Sequence, residues 1–551
     1  MPNLFKLDSL NGFIVLAIGM FFALTVIYSL KFMQGRRKII QYYTYIVLTA
    51  IAAICAVLTN HLLLLLVCWG LLGLLLYLLI AMGDDESSLA AKKSFVIVGG
   101  TDALMLFGIA IIYYLTGSFR VDQINGAIFL ENNFLAIVAY LCIAIACFAK
   151  AGAMPMHSWI PDAAKSAPVP VVAYLPASLD KLLGIYLLAR ISLGIFIMNQ
   201  GMNIFLMLIG AFTIIAAVMM ALVQPNMKKL LGFSTVSQVG YMVLGIGTGN
   251  PLGIAGGIFH MLNHTVYKFC LFLTAGNVEY RTKTTELDEL GGLSKLMPIT
   301  YITCLIASLS ISGVPPFNGF VSKWMIYQGI ITQVQAGDYL SRITGILCLA
   351  AAMFGSGLTL ACFMKLIHAT FLGSRNSVST KQRISEVPWQ MWLPAVILAI
   401  ICVIFGVFAI QIPLKYFIFP IVGQVNFTGG WYAVLSTLLI IVGLLIGMVI
   451  FRLKEIRPIV RQDKAFIGGE EMDFNAHAAS GTDFYNTVEE YGILKYLYKK
   501  AEAGIFDIYE QGKKVISLVS KFFQYLHNGV LPTYLVWLLL GMTGLLFLLA
   551  R

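Results

Sequence analysis

Apolar runs of about twenty residues, the length that crosses a hydrocarbon core, recur along almost the whole chain and leave it one class of fold. They lie near 11–31, 39–59, 61–81, 94–116, 131–152, 168–190, 203–223, 230–248, 253–278, 296–332 (interrupted), 344–372, 391–411, 431–452 and 531–550. In lipid every backbone polar group must be satisfied within the spanning element, so runs of this length fold as helices. Only 11% of the residues are charged, against about 25% in soluble domains. The sequence predicts an all-α polytopic membrane protein with about 14 transmembrane helices. The first run starts late and lacks a small-residue cleavage site, so it reads as a retained helix.

The net charge is +11, and its distribution explains it. Basic residues gather in alternate loops: Lys31, Arg36, Arg37 and Lys38; Lys92 and Lys93; Lys228 and Lys229; Arg281, Lys283 and Lys295; Arg375, Lys381 and Arg383; Arg452, Lys454, Arg457, Arg461 and Lys464. The intervening loops hold isolated cations such as Arg120, Arg342 and Lys415. This is an orientation signal that leaves both termini on the outer side of a cell inner (cytoplasmic) membrane. It assigns the basic excess to topology and to the lipid bilayer, with no nucleic-acid partner. The nine cysteines fall inside the spans without C-x-x-C spacing and read as small buried hydrophobes. No Walker loop or dinucleotide fingerprint is present, so no cofactor is expected.

The spans are not uniformly apolar. Asp102, Lys150, Asp180, Lys181, His260, His264, Lys268, Lys323, Lys365 and His368 all fall within them. An ionisable group at the bilayer centre costs about 2.5–3.5 kcal/mol on insertion scales and marks an interior, hydrated path. A series running from the fourth span to the eleventh fits a relay for a small ion, most simply H⁺, better than one substrate pocket. Lys365 and His368 lie near a basic loop and read as snorkelling or helix-joining residues. A lysine held between burial, which disfavours charge, and a carboxylate, which favours it, changes protonation when its partner moves. His260, His264 and Lys268 in "FHMLNHTVYKF" stand at i, i+4 and i+8 and share one helix face. H-x-x-x-H also suits metal chelation, but no third ligand lies at useful spacing, so no metal is expected.

Two spans are broken. "CFAKAGAMPMHSWIPDAAKSAPVPVV" interrupts one with Gly152, Pro155 and Pro161; "SLSISGVPPFNGFVSKW" interrupts another with Gly313, Pro315, Pro316 and Gly319. Breaks at membrane depth are tolerated where they line a covered or watered cavity, and each lies beside a lysine, Lys150 or Lys323. Residues 39–190 and 203–372 then form two five-helix repeats. By the loop charges they have opposite orientation, an inverted repeat with broken helices at equivalent positions. The remaining segments are 1–38 (N-terminal helix and loop), 391–452 (additional spans), 453–483 (polar linker), 484–530 (amphipathic helix) and 531–551 (terminal anchor).

"KAGAMPMHSWIPDA", "APVPV", "GIYLLAR", "QPNMKKLLGFSTVSQVGYM", "FHMLNHTVYKFCLFLTAGNV" and "GVPPFNGFVSKW" occur in consistent order between about 61 and 372. Together they resemble the antiporter-like subunits of respiratory complex I, of energy-converting hydrogenases and formate hydrogenlyase, and of Mrp-type Na⁺/H⁺ antiporters. The resemblance implies proton transfer along Lys150, Lys181, His260, His264, Lys268 and Lys323, with redox chemistry and other membrane subunits supplied by a larger complex. It also implies a glutamate after Trp69 as the partner of Lys150. This chain has Gly70 there. Asp180 and Asp102 are the candidate replacements, and Asp180 is expected to reach Lys150 rather than its neighbour Lys181.

The amino-terminal region is shorter than in the largest complex I member, apparently by two spans. From 484 to 527, Phe484, Val488, Tyr491, Leu494, Tyr498, Ala501, Ile505, Ile508, Val515, Leu518, Phe522 and Leu526 mark an amphipathic stripe. As one helix it would reach roughly 66 Å, kinked at Gly504 and Gly512. A long amphipathic helix ending in an anchor resembles the lateral helix of the largest complex I antiporter-like member, here on the cytoplasmic side. A helix lying on lipid headgroups fits the same pattern. Three functions compete: a proton-translocating subunit of a redox complex, a cation/H⁺ antiporter or ion-driven inorganic-carbon uptake module in which Na⁺ takes part, and a non-pumping structural subunit.

Overall fold

The computed structural model describes residues 4–373, 384–423, 425, 427, 430, 432–456, 482 and 485–550. The expected orienting cations Arg375, Lys381, Arg383, Arg457, Arg461 and Lys464, most of the 453–483 linker, and Phe484 lie outside the described residues. The chain forms two compact units, Met1–Tyr491 and Gly492–Arg551.

The first unit is a helix bundle: α1 (Ser9–Phe32), α2 (Ile39–Leu58), α3 (Leu62–Ile80), α4 (Ser87–Thr116), α5 (Phe134–Ala151), α6 (Trp159–Ser166), α7 (Val169–Tyr174), α8 (Asp180–Arg190), α9 (Gln200–Leu222), α10 (Met227–Gly247), α11 (Pro251–Thr282), α12 (Pro298–Ser312), α13 (Asn318–Ala336), α14 (Tyr339–Ile367), α15 (Trp389–Val407), α16 (Ala433–Ile456) and α17 (Asn486–Glu490). Local chemistry sets many of the starts. Asp8, Asn133, Asn199, Asn226, Asn250 and Asp338 each precede a helix and accept a hydrogen bond from its first backbone N–H groups. A π-helical turn, Leu175–Leu179, joins α7 to α8, so the sixth span is one irregular helix.

Among the described residues, twelve helices are long and apolar enough to cross a membrane. The other two expected spans are present in different form. Pro251–Thr282 is a 32-residue helix whose residues from Leu252 to Val278 are buried, so its polarity is internal. The interrupted span is the pair α12 and α13, separated at Gly313. The span 169–195 and α10 are wholly buried, whereas the other candidate spans keep a lipid-type apolar face. These two and α11 are the middle of the bundle, and they carry most of its internal charges. Glycines bring the helices together there: a Cβ on Gly240 would lie 2.6 Å from the Gly210 carbonyl of α9, so the α9–α10 approach is backbone against backbone.

Two features depart from the sequence expectation. Residues Ile128–Phe129 and Phe196–Ile197 form a two-residue parallel ladder, β1 and β2, in otherwise helical surroundings. The 484–527 stripe is not one helix. Its described part is α17, α18 (Gly492–Glu502) and α19 (Ile508–Leu526), followed by α20 (Leu531–Leu549). Gly504 ends α18 with φ +72°, a left-handed stop that glycine adopts freely. Asp507 then caps α19 by accepting from the Tyr509 N–H. Gly512 lies inside α19 without a break. Apolar spacing of three to four residues specified the face but not the continuity.

Candidate functional site

The first internal cluster is assembled by the break after α5. Gly152 there has φ +84°, and a Cβ on it would collide with Ile160 Cδ1 at 1.9 Å and lie 3.5 Å from Lys181 Nζ. Only glycine allows the chain to turn this tightly against the amine. The turn leaves Lys150 on the last part of α5 facing Asp180 at the start of α8. Lys150 Nζ is 4.0 Å from Asp180 Oδ1. It also donates to the Trp69 carbonyl at 3.5 Å and lies 4.7 Å from the centre of the Trp69 ring. All three charged residues, Lys150, Asp180 and Lys181, are 0% exposed. The Asp180 oxygens make no hydrogen bond within the protein, nor does Lys181 Nζ. Lys181 rests instead 4.9 Å above the Trp159 ring, and the indole of Trp159 is held by donating to the Ala149 carbonyl at 2.9 Å. A buried amine and carboxylate with so few hydrogen bonds are expensive for stability, which points to use rather than support.

Asp102 flanks the same lysine from α4. It is half-buried, and its Oδ1 has no hydrogen-bond partner in the protein. A Cβ placed on Gly70 would lie 3.6 Å from Asp102 Oδ2. The carboxylate therefore adjoins the place where a side chain at position 70 would begin, in ordinary van der Waals contact. The charged forms of Lys150, Lys181, Asp102 and Asp180 sum to zero.

The second cluster is built differently. Lys268 on α11 donates to the Leu231 carbonyl at 2.9 Å and to the Ser234 hydroxyl, and lies 5.4 Å from the Phe363 ring centre. Lys323, just after the second break, donates to the Ile311 carbonyl at 2.9 Å and sits 4.7 Å above the Tyr241 ring. The glycine of this break, Gly313 (φ +79°), also packs on a lysine: its Cβ would meet Lys323 Cδ at 3.1 Å. Asp180 is the only fully buried carboxylate among the described residues. Carbonyl oxygens and aromatic faces thus replace acids around Lys268 and Lys323.

His264 lies between the clusters. It is fully buried and neither ring nitrogen has a hydrogen-bond partner in the protein; its ring meets Tyr267 edge-on at 5.6 Å. His260, one helical turn away, is well partnered, with Nδ1 2.8 Å from Ser322 Oγ and Nε2 3.1 Å from Gln238 Oε1. The expected residues therefore form two groups joined along α11. Lys365 is buried and donates to the Leu222 carbonyl at 2.9 Å, closing the last turn of α9. Ser234, Gln238, Tyr241, Trp159 and Ser322 contact these buried groups but were not singled out from the sequence. All five stand inside the quoted motifs "KAGAMPMHSWIPDA", "STVSQVGYM" and "FNGFVSKW", the one signal that pointed to them.

The arrangement has relatives. Residues 59–347 match the family model described as NADH:quinone oxidoreductase/Mrp antiporter, transmembrane. The chain is 30% identical over 419 residues to an Na⁺/H⁺ antiporter subunit of Alkalihalophilus pseudofirmus, covering 73% of this chain and 52% of that one. It is 32% identical over 418 residues to an Na⁺/H⁺ antiporter subunit of Staphylococcus aureus strain Newman, with the same coverage of 73% and 52%. It thus spans about half the length of the curated relatives it matches. Among solved structures, the fold is similar to a chain of the membrane-bound sulfane sulfur reductase, an archaeal respiratory membrane complex. That match has a TM-score of 0.82 and 24% identity, covering 99% of this chain and 89% of the other. A chain of the Mrp complex from Dietzia sp. DQ12-45-1b gives a TM-score of 0.67 and 22% identity, covering 76% and 83%. With the family model matching more than half of its residues, the chain belongs to the NADH:quinone oxidoreductase/Mrp antiporter transmembrane family.

Proposed function

We propose that the chain moves protons along Lys150, Lys181, His264, Lys268, His260 and Lys323, as one antiporter-like membrane subunit of a multisubunit complex I-like or energy-converting-hydrogenase-like redox complex. The observation that carries this reading is the Lys150–Asp180 ion pair at 4.0 Å, continued by two fully buried groups, Lys181 and His264, that have no hydrogen bond within the protein. Such a pair is a switch. While Asp180 holds the Lys150 charge, the charge of Lys181 is supported by one acid fewer. When Lys150 turns to Asp102, or Asp180 takes up a proton, the balance at Lys181 changes and its proton moves on toward His264.

Asp102 and Asp180 share the acidic role that the family assigns to the residue after Trp69. The carboxylate of Asp102 adjoins Gly70, and Asp180 faces the same amine from the other side. Residues 39–190 and 203–372 act as inverted halves, each with a break glycine packed on a lysine. The redox steps belong to other subunits in the cytoplasmic membrane. The basic loops and the amphipathic helices α18 and α19 lie on the cytoplasmic side, where neighbouring membrane subunits cover their apolar stripe. The respiratory membrane complex with a chain that aligns over 99% of this one at 24% identity supports a place among other membrane subunits.

A second reading, Na⁺/H⁺ exchange, is favoured by the named activity of the relatives at 30% and 32% identity. Reconstitution of the lone chain into sodium-loaded proteoliposomes separates the two. The proposal expects no sodium-driven pH change from the chain alone, with Lys181→Ala and Lys323→Ala abolishing proton translocation in the assembled complex. Sodium-driven exchange by the lone chain would move the assignment to an antiporter. Normal pumping by both variants would leave a structural subunit. Cross-linking from α18 and α19 is expected to capture protein neighbours; lipid adducts alone would place these helices on headgroups.

A further inference from the structure

Ser322 precedes Lys323 on α13, and its hydroxyl faces a histidine of another helix. The hydrogen bonds around that histidine determine which nitrogen carries its proton. Thr359 Oγ1 donates to the Gly355 carbonyl at 2.7 Å, so its hydrogen is committed and the oxygen accepts from Gln238 Nε2 at 3.5 Å. That turns Gln238 Oε1, which can only accept, toward His260 Nε2 at 3.1 Å. His260 Nε2 therefore carries a hydrogen, with the Tyr267 hydroxyl oxygen as a longer acceptor at 3.3 Å. In the neutral ring Nδ1 is then a bare lone pair, and the Ser322 hydroxyl, 2.8 Å away, donates to it.

A protonated His260 reverses this. Nδ1–H must donate to Ser322 Oγ, and the serine hydrogen has to point elsewhere. A second acceptor is in place: the Gly319 carbonyl, 3.2 Å from the same oxygen. That carbonyl belongs to the first turn of α13, directly after the break. Gly319 is held there by close packing, since a Cβ on it would lie 1.9 Å from the Ser310 carbonyl. Asn318 next to it is tied to α11 by donating to Asn263 Oδ1 at 3.1 Å, and its carbonyl accepts from Asn263 Nδ2 at 2.9 Å. The serine has one hydrogen and three acceptors in reach: His260 Nδ1, the Gly319 carbonyl at 3.2 Å and, farther away and already bonded to Asn263, the Asn318 carbonyl at 3.5 Å.

We propose that Ser322 is a two-position hydroxyl switch that reports the protonation state of His260 to the broken helix bearing Lys323: it donates to His260 Nδ1 when the ring is neutral and to the Gly319 carbonyl when the ring is charged. No covalent step is involved. The ring gains one proton, the hydroxyl rotates, and the serine keeps its own hydrogen. Ser322 is a positioning residue for the proton path, and the role in translocation rests on the function proposed above.

The test uses the full-length chain in lipid nanodiscs with ¹⁵N-labelled histidine, the His260 signals being identified by their loss in His260→Gln. The expected result is an Nε2–H tautomer in the wild type, whose Nδ1 resonance moves downfield in Ser322→Ala and stays in place in Ser322→Thr. In the assembled complex Ser322→Ala slows proton translocation roughly tenfold, the size expected for a hydrogen bond to a charged ring, and Ser322→Thr restores it. An Nδ1–H tautomer in the wild type, or an Nδ1 signal indifferent to Ser322→Ala, overturns the switch even if Lys323→Ala abolishes pumping. The expected shifts with full pumping in Lys323→Ala uphold the hydroxyl switch and overturn the translocation reading instead.

Discussion

Lys150 Nζ stands 4.0 Å from Asp180 Oδ1, although α5 and α8 are separated in the chain by a break, two short helices and a π-helical turn. The pair has no exposed surface, and Lys150 also meets the Trp69 carbonyl and ring. Lys150 is thus placed between two acids on opposite helices.

Removing either acid should therefore have unequal effects. Asp180→Asn leaves Lys150 with one half-buried acid and deprives Lys181 of its nearest counter-charge, and should slow translocation about tenfold or more, the consequence of roughly 1.4 kcal/mol at the limiting step. Asp102→Asn should act more weakly. Dye-quench assays on membrane vesicles holding the assembled complex measure both. Full activity in Asp180→Asn with loss in Asp102→Asn would make Asp180 a bystander.

Position 70 offers a rescue experiment. Gly70→Ala should be tolerated, because its Cβ would meet Asp102 Oδ2 at an ordinary 3.6 Å. Gly70→Glu should impair pumping through like charge against Asp102. The double change Gly70→Glu with Asp102→Asn should recover activity above Gly70→Glu alone. Equal rates in the single and double variants would show that the two positions do not share a charge site.

Gly319→Ala should destabilise the first unit. Its Cβ would fall 1.9 Å from the Ser310 backbone carbonyl, and overpacking of this kind costs about 1–3 kcal/mol or more. Gly100→Ala is the control, with nothing within 4 Å of its Cβ. Thermal unfolding in detergent should separate the two clearly; matching midpoints would refute the close approach.

Lys365 and Lys323 should part company. Lys365→Met removes a buried donor from the end of α9 and leaves the Leu222 carbonyl without it, a loss of about 1–3 kcal/mol in stability. Pumping per folded complex should be unchanged. Lys323→Ala should abolish pumping with a smaller effect on unfolding. A pumping defect in Lys365→Met at normal stability would bring that lysine into the path.

Outside the spans, Asp8 ties the start of α1 to the end of α8. Partial burial pushes its carboxyl up, but the bond from Arg190 Nη1 at 2.6 Å, the guanidinium charge and the Leu10 and Asn11 N–H groups hold it below the usual value of 3.8. A depressed carboxyl contributes stability above its unfolded value that disappears as pH falls through the folded one. Wild-type stability should therefore be flat from neutral pH to about 4 and drop below it. Asp8→Asn should unfold more easily at pH 7, by roughly 1 kcal/mol after solvent screening, and lose part of the acid dependence. Equal stability of the two at pH 7 would count against the clamp.

The resemblance to an antiporter-like subunit was readable in the chain because its motifs combine glycines, prolines and charges whose combination has few other uses in a membrane. Lys150, Lys181, His260, His264, Lys268 and Lys323 stood out for the same reason: in an apolar run each is costly, and cost is visible in one dimension. Ser322, Gln238 and Ser234 lie inside the quoted motifs but did not stand out individually, since a serine or glutamine inside a helix has many inexpensive roles. The amphipathic stripe after 484 misled on continuity, because face periodicity carries no information about the left-handed stop at Gly504.

By itself the sequence determined the class of fold, the approximate place of most spans, the two breaks and most of the buried charges. Each follows from local terms: hydropathy, proline and glycine geometry, and the penalty for charge in oil. Only the tertiary structure decided that the expected approach of Asp180 to Lys150 closes to 4.0 Å, that Asp102 adjoins Gly70, that Lys323 rests on a carbonyl and a ring without an acid, and that Lys365 closes a helix. Those pairings depend on which side chains separate helices bring within a few ångströms, and spacing along the chain does not encode that distance.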